Sequence, residues 1–480
     1  MTFDQKLTLS LHIKKIKGSC MNTMNILRTL SHHHWGCDEE ILLKIYRSLI
    51  RSRLDYGSML YSTSSKSNLK LLNSIPNTAL RLSLGAFRSS PSISLHVEAQ
   101  ELPLNFRRQQ TLLTYISKVS ALPNHPVRHL LETSQEPPTM KPMTLLSIPQ
   151  IAKQNLGPID VTLTSPITFP KHTPWSRHYP RLNTSLHRHI KLETLGIIIK
   201  QHLFELIEHE KFDEELYTDA SKDEQGIACS IINESNAPVS YKLPSICSIH
   251  TGELFAIYKS LCSPLIPGQK LSILTDSLSS IESIDNIYSK NPLVQQILER
   301  CHTLKAKENI STTIIWIPSH IGITGNEAAD QAANQARTSD LPVTQIQLHT
   351  DLKNAIKLRS LQEWQVQWEG ASTGLHMIQP KIHNPPQISL GRKDKTVVRR
   401  LRIGHTKLTH SYLMSSENQP TEHCHNTRLT VEHLLCICPY YGDDRRRLGL
   451  RENLGNILNS QKQIELALKF LKKCQLYNNI

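Results

Sequence analysis

What the 480-residue chain lacks narrows its function first. No run approaches the roughly 18 uninterrupted apolar residues a membrane helix needs. The opening MTFDQKLTLSLHIKKIKG has its apolar residues spaced like one helix face, with no continuous apolar block and no small-residue cleavage site, so it does not read as a secretory signal. The expectation is a soluble, intracellular protein without a membrane partner; nucleus or cytoplasm is not decided by sequence. Ten cysteines make no disulfide framework, because Cys20, Cys229, Cys247, Cys262 and Cys301 stand alone and read as small buried apolar residues. Glycine is scarcer than proline, 18 against 26, which favours extended connections over tight turns. A phosphate-cradling glycine loop, a dinucleotide-binding fingerprint and a G-x-S-x-G elbow are all missing, which removes support for kinases, dehydrogenases and elbow hydrolases.

What is present is charge, unevenly placed. The chain carries +14, yet Asp213 to Arg337 holds nine Lys/Arg against fifteen Asp/Glu, a local −6. The remainder therefore carries +20 and is the part expected to contact a polyanion. Residues 1–132 read as helical: DEEILLKIYRSLIRSRLDYGSMLY places Ile41, Leu42, Ile45, Leu49 and Ile50 on one face with Asp38 as a candidate N-cap, and further helices run through SNLKLLNSIPNTALRLSLGAF and FRRQQTLLTYISKVSAL. Prolines at 137, 138, 142, 149, 158, 166, 170, 174 and 180 mark 133–190 as a linker or an irregular strap. A lead-in helix (191–212, LGIIIKQHLFELIEHE) precedes a central module (213–340). A helical connector (341–400), a Cys/His segment (401–445) and a C-terminal helix (446–480) follow it.

The module alternates strand and helix signals. ELYTDAS, GIACSIIN, PVSYKL, LSILTDS and TTIIWIPS read as strands, and SIHTGELFAIYKSL, LVQQILERCHTLKA and GNEAADQAANQA as helices. The expected fold class is α/β: a mixed sheet with helices on its faces. Four acids fall where acids are hardest to explain structurally. Asp219 and Asp276 end strands, Glu253 shares a helix face with Ala256, Ile257 and Ser260, and Asp330 lies in an alanine-rich helix. Any one alone could be a cap or a solvated acid. Four at such places would repel one another unless a cation sits between them, and oxygen-only ligands suit magnesium or manganese.

The ordered set YTDAS, TGELFA, LTDS and WIPSHIGITGNEAAD resembles type 1 ribonuclease H domains over roughly residues 213–340. The resemblance implies a five-stranded sheet and two-metal hydrolysis of the RNA strand of an RNA–DNA hybrid. Asp219 would bridge both ions, Glu253 and Asp276 would complete one, and Asp330 the other. It also matches His320 to the loop histidine that helps product leave or metal exchange, and Asn326–Glu327 to the pair before the last aspartate. Ala220 departs from the glycine many members carry there.

The flanks carry further resemblances. FDQKLTLSLHI, SHHHWG, LDYGSMLY, ALRLSLGAF and VEAQELPLNFRR look like the thumb and connection of jockey-type non-LTR retrotransposons, beginning after the polymerase palm. Tyr441–Asp444 spells YGDD, but it follows Cys438-Pro439 and precedes Arg445-Arg446-Arg447, so it reads as a helix start rather than a polymerase site. EHCHNTRLTVEHLLCICPYY resembles that family's zinc knuckle. Cys424, His433 and Cys438 keep ligand spacing, the family's first cysteine is missing, and His423, His425 or Cys436 is a possible substitute. The alternative to a working nuclease is an inactive retroelement relic that binds nucleic acid through basic flanks. Two further features have bland expectations: His32-His33-His34 marks a helix end, and Trp316 belongs to the core.

Overall fold

The structure is a computed structural model. It describes every residue except 1, 6, 7, 33, 34, 63, 129–163, 167–170, 189–194, 234–236, 384, 416, 422, 423, 425–427 and 452. Most of the proline-rich segment, and His33, His34, His423 and His425, therefore lie outside the described residues. No helix among the described residues is long and apolar enough to cross a membrane. Among the described residues two compact units emerge, one from 2–115 and 356–480, the other from 116–128 and 164–355.

The second unit is built on one mixed sheet. Its strands are β1 (Arg181–Asn183), β2 (Glu214–Lys222), β3 (Ile227–Ile232), β4 (Val239–Leu243), β5 (Lys270–Thr275) and β6 (Ser311–Trp316), in the order β1-β6-β5-β2-β3-β4. Five of these are the expected strands. The sixth, β1, pairs parallel with β6 through Arg181↔Thr313 to Asn183↔Ile315. It follows Pro180 directly, and an edge strand tolerates that neighbour because the missing N–H has no ladder partner to disappoint. The β2–β3–β4 meander is antiparallel, while β2, β5 and β6 run parallel. The apolar runs of β5 and β6 are buried along nearly their whole length, as parallel strands covered on both faces must be.

The helices that accompany the sheet include α1 (Gly196–Glu210), α2 (Ile249–Ser260), α3 (Leu278–Asp285), α4 (Pro292–Glu308) and α5 (Thr324–Thr338). Side chains alternate along β2. Tyr217, Asp219 and Ser221 face α5, where a β-carbon at Gly325 would overlap the Tyr217 ring and Ser221 Oγ donates to Asn334 Oδ1 (2.6 Å). Ala220 faces α2, where a β-carbon at Gly252 would stand 2.9 Å from its own. Helix α2 reads as amphipathic in sequence, yet Thr251 through Ile257 are all buried, because it packs on β2 and β3 and also against α4.

The first unit is helical. Ser10–Leu30, Glu39–Ile45 and Lys66–Leu84 share an apolar core that includes Ile13, Leu27, Leu42, Ile50, Ile75 and Leu80. Asp38 is the N-cap, accepting from the Glu40 N–H at 3.1 Å. The single helical face expected beyond it is not kept. A π-helical turn at Tyr46–Arg51 inserts an extra residue into the winding, so Leu42, Leu43, Tyr46 and Ile50 are buried while Ile41 and Leu49 are exposed. Tyr441–Asp444 stands at the start of the Gly442–Leu448 helix, with Asp444 paired to Lys473 at 2.8 Å.

Candidate active site

Strand pairing explains why the carboxylates converge. β2 pairs with β5 only as far as Thr218↔Thr275, after which β5 ends and Asp276 leaves the sheet. β2 itself continues three residues past Asp219, paired with β3 and with Asp219 opposite Ser230, so Asp219 is not at the strand end expected for it. It is at the position where the other side of the strand falls open. There the Ala220 N–H donates to Glu253 Oε1 from α2 (3.3 Å). Asp219, Glu253 and Asp276 each bring a carboxylate oxygen within 4.8 Å of the other two. Asp330 approaches from α5, close enough for its charge to act on Asp219, and has its Oδ1 held by Asn334 Nδ2 (2.8 Å).

The electrostatics of this cluster are those of crowded, half-dry acids. Burial, then the charges of Asp276 and Asp330, push the Asp219 carboxyl up to about 8. Burial and the charges of Asp219 and Asp276 raise Glu253 well above the ordinary carboxylate range. Asp276 is raised by burial too, although a hydrogen bond from Asn326 and the nearby His320 pull it back. Like charges at this spacing cannot all ionise without a countercharge. Glu253 Oε2 is buried with no hydrogen-bond partner among the described residues, which fits an oxygen that ligates a cation. An all-oxygen donor set of this kind is compatible with a hard divalent cation.

Residues 211–338 match the family model for RNase H. This stretch is an RNase H domain. It opens just ahead of β2 and closes with α5, so it contains all four carboxylates and His320. Nuclease action on RNA–DNA hybrids is the activity such a domain supports. The chain matches no curated protein.

Several further residues hold the RNase H domain's site together; the sequence singles out Asn326 and Trp316 without these contacts, and does not single out Arg337 or Asp351. Trp316 is buried, and its indole N–H donates to the Asp276 carbonyl (3.0 Å), tying the end of β6 to the residue after β5. Asn326 is buried one turn ahead of Asp330, bonded to Asp276. Arg337 reaches back to Ser221 Oγ (2.5 Å) and Asp223 (3.0 Å), fixing the end of α5 to the β2–β3 hairpin. Farther along the chain, Asp351 is buried against the start of α2, accepting from the Ser248 N–H (3.1 Å) and the Thr251 hydroxyl (2.8 Å). His320 is exposed in the loop between β6 and α5, with φ of 56°, and Gly322 follows at 81°. Two left-handed residues in three turn this loop sharply, and histidine is among the side chains that tolerate the conformation.

In the first unit, Cys424, His433 and Cys438 also bring one ligand atom each within 4.8 Å of one another, with Cys424 Sγ 3.2 Å from His433 Nε2. Cys436 is not part of that group among the described residues. His433 opens a π-helical turn, His433–Ile437, that ends at Cys438, so one short element carries both ligand types.

Proposed function

We propose that the chain cleaves the RNA strand of RNA–DNA hybrids by metal-assisted hydrolysis at Asp219, Glu253, Asp276 and Asp330. The observation carrying this reading is the Asp219–Glu253–Asp276 cluster with its orphaned Glu253 Oε2. Two magnesium or manganese ions held by these side chains would activate a water and steady the leaving oxygen of the phosphodiester. The residues' own tasks follow from their settings. Asp219, whose charge is coupled to both Glu253 and Asp330, would serve both halves of the donor set. Asn326 steadies the Asp276 carboxylate, and Trp316 fixes its backbone by bonding the Asp276 carbonyl. His320, exposed on its turned loop, is placed to meet substrate or product rather than to bind metal permanently. Preference for RNA would come from contacts to 2′-hydroxyls across a minor groove.

The test is cleavage of an end-labelled hybrid with magnesium or manganese, beside Asp276→Asn and metal-free controls. Loss of a metal ligand should lower cleavage by more than the roughly 10–100-fold that outer-shell partners cost. Full activity in Asp276→Asn would sink the assignment. No cleavage by folded wild-type protein that still binds the hybrid would favour an inactive relic instead.

The same reading takes the chain as part of a jockey-like retroelement protein, supported by the resemblance of its flanks. It further assigns Cys424, His433 and Cys438 as three ligands of a structural zinc, supported by their proximity. A zinc-responsive dye added after denaturation should report about one equivalent. Metal well below that refutes the zinc.

A further inference from the structure

The first unit contains a recess of about 580 Å³ lined by six cationic side chains, Arg28, Arg81, Arg88, Arg392, Lys393 and Arg400, against the single carboxylate of Ile480. No Asp or Glu lines it. Three of the six form a floor and donate to main-chain oxygens. Arg81 donates to the Ser90 carbonyl (3.2 Å), Arg392 to those of Leu82 (3.0 Å) and Ser83, and Arg400 to that of Gly85 (2.8 Å) and to a carboxylate oxygen of Ile480 (3.2 Å). The bonds to carbonyls aim the guanidinium groups without neutralising them, and only the one to Ile480 meets a charge. The carboxylates nearest in sequence are engaged elsewhere: Asp38 with Lys395 (2.8 Å), Glu39 with Arg399 (2.6 Å), and Asp394 with Tyr477 and Lys472. The Nε atoms of Arg81 and Arg392 are buried without partners. Burial and the neighbouring Arg392 both disfavour the Arg400 charge, so this floor would gain from an anion. The other three cations, Arg28, Arg88 and Lys393, are exposed at the rim.

An aromatic pair adjoins the charges. His32 lines the recess, and the Trp35 indole stacks on it at 4.9 Å and 13° while remaining 65% exposed. A cationic groove beside an exposed aromatic face is the combination that holds a single strand, phosphates to the cations and a base to the ring. A duplex satisfies the cations equally well but leaves the indole idle, since its bases are already stacked on one another.

We propose that this recess is a binding site for the backbone of single-stranded nucleic acid, with Trp35 as the platform for one base. Free phosphate and mononucleotides share the phosphate chemistry, so the test separates them from a strand. Full-length protein is titrated into a fluorescein-labelled 12-mer of oligouridylate or oligothymidylate with EDTA present. Binding is then read without metal and does not depend on cleavage. Arg28→Ala/Arg88→Ala/Lys393→Ala removes only exposed rim cations and should weaken binding roughly tenfold or more. It should also flatten the dependence of log affinity on log salt by about 2, the loss expected for three single-strand phosphate contacts. Trp35→Ala should weaken binding roughly fivefold or more with the salt slope unchanged, as loss of one stacked base does. Inorganic phosphate and uridine monophosphate at concentrations that match the oligomer's phosphate should compete poorly. Unchanged affinity and slope in both variants, with circular dichroism of folded protein, overturns the proposal. Competition by free phosphate as strong as by the strand overturns it as well.

Discussion

Single residues in the acidic cluster pull stability and function in opposite directions. Asp219 is raised to about 8 in the fold, from an ordinary value near 3.8, by burial and by Asp276 and Asp330. A carboxyl whose folded pKa is raised stabilises the protein below its unfolded pKa, and that stabilisation is lost as pH rises from about 4 through about 8. Metal-free wild-type protein should therefore melt lower at pH 8.5 than Asp219→Asn, which has no charge to bury. At pH 4 the two should melt alike, and the variant should be inactive at either pH. Thermal unfolding in EDTA at the two pH values checks this, and a variant less stable than wild type at pH 8.5 would contradict it. Added magnesium should reverse the order by stabilising the wild type alone. Ala220, the departure from the family pattern, also finds its reason at this scale. Its methyl fills the gap over Gly252, the residue beside Glu253, where a second β-carbon would come within 2.9 Å.

Among elements, α2 matters most, because it alone carries Glu253 to the rim of the sheet, and its start is held from a distance. Ser248 caps it locally, taking the Thr251 N–H (3.3 Å), but the Ser248 N–H and the Thr251 hydroxyl go to Asp351, a hundred residues on. Asp351→Ala should cost about 1–3 kcal/mol, the price of stranding buried donors. It should also lower kcat more than it raises KM, because Glu253 shifts while the nucleic-acid contacts stay. Asp351→Asn, which can still accept from Thr251, should recover most of kcat, whereas equal losses in both variants would deny Asp351 a positioning role. Asp351 marks the boundary of what sequence alone could reveal. The β-branched and apolar runs LSILT and TTIIW identified β5 and β6, and the acids at ELYTDAS, TGELFA and LTDS identified the cluster, since each signal is local. β1 lay hidden behind Pro180, and α3 behind serines whose buried partners, Ile281 and Ile284, are only two. The π-helical turn at Tyr46–Arg51 moved a helix face that regular 3.6-residue spacing had placed one step away. The bonds of Asn334, Trp316 and Asp351 to the site are choices of tertiary packing, and no spacing in the chain announces them.

For the whole molecule, charge separates chemistry from grip. The stretch from Asp213 to Arg337 is net −6 while the rest of the chain is net +20, so on the proposed function the part that would cut repels a polyanion and the rest attracts it. Chemistry at the carboxylates works over a few ångströms in a partly buried site, where salt screens little. Contacts between exposed Lys/Arg and phosphates release counterions and weaken steeply as salt rises. The two kinetic constants should therefore part company. Between 50 and 200 mM salt, KM for a hybrid should rise roughly tenfold if only two phosphates are neutralised, and more steeply with each further contact. Over the same range kcat should change less than about twofold, provided chemistry is slower than substrate release so that KM reports binding. Steady-state cleavage of one hybrid across a salt series decides the matter. A KM that stays flat would mean that the acidic domain holds its substrate through uncharged contacts such as 2′-hydroxyls, and that the +20 of the flanks serves something other than this substrate.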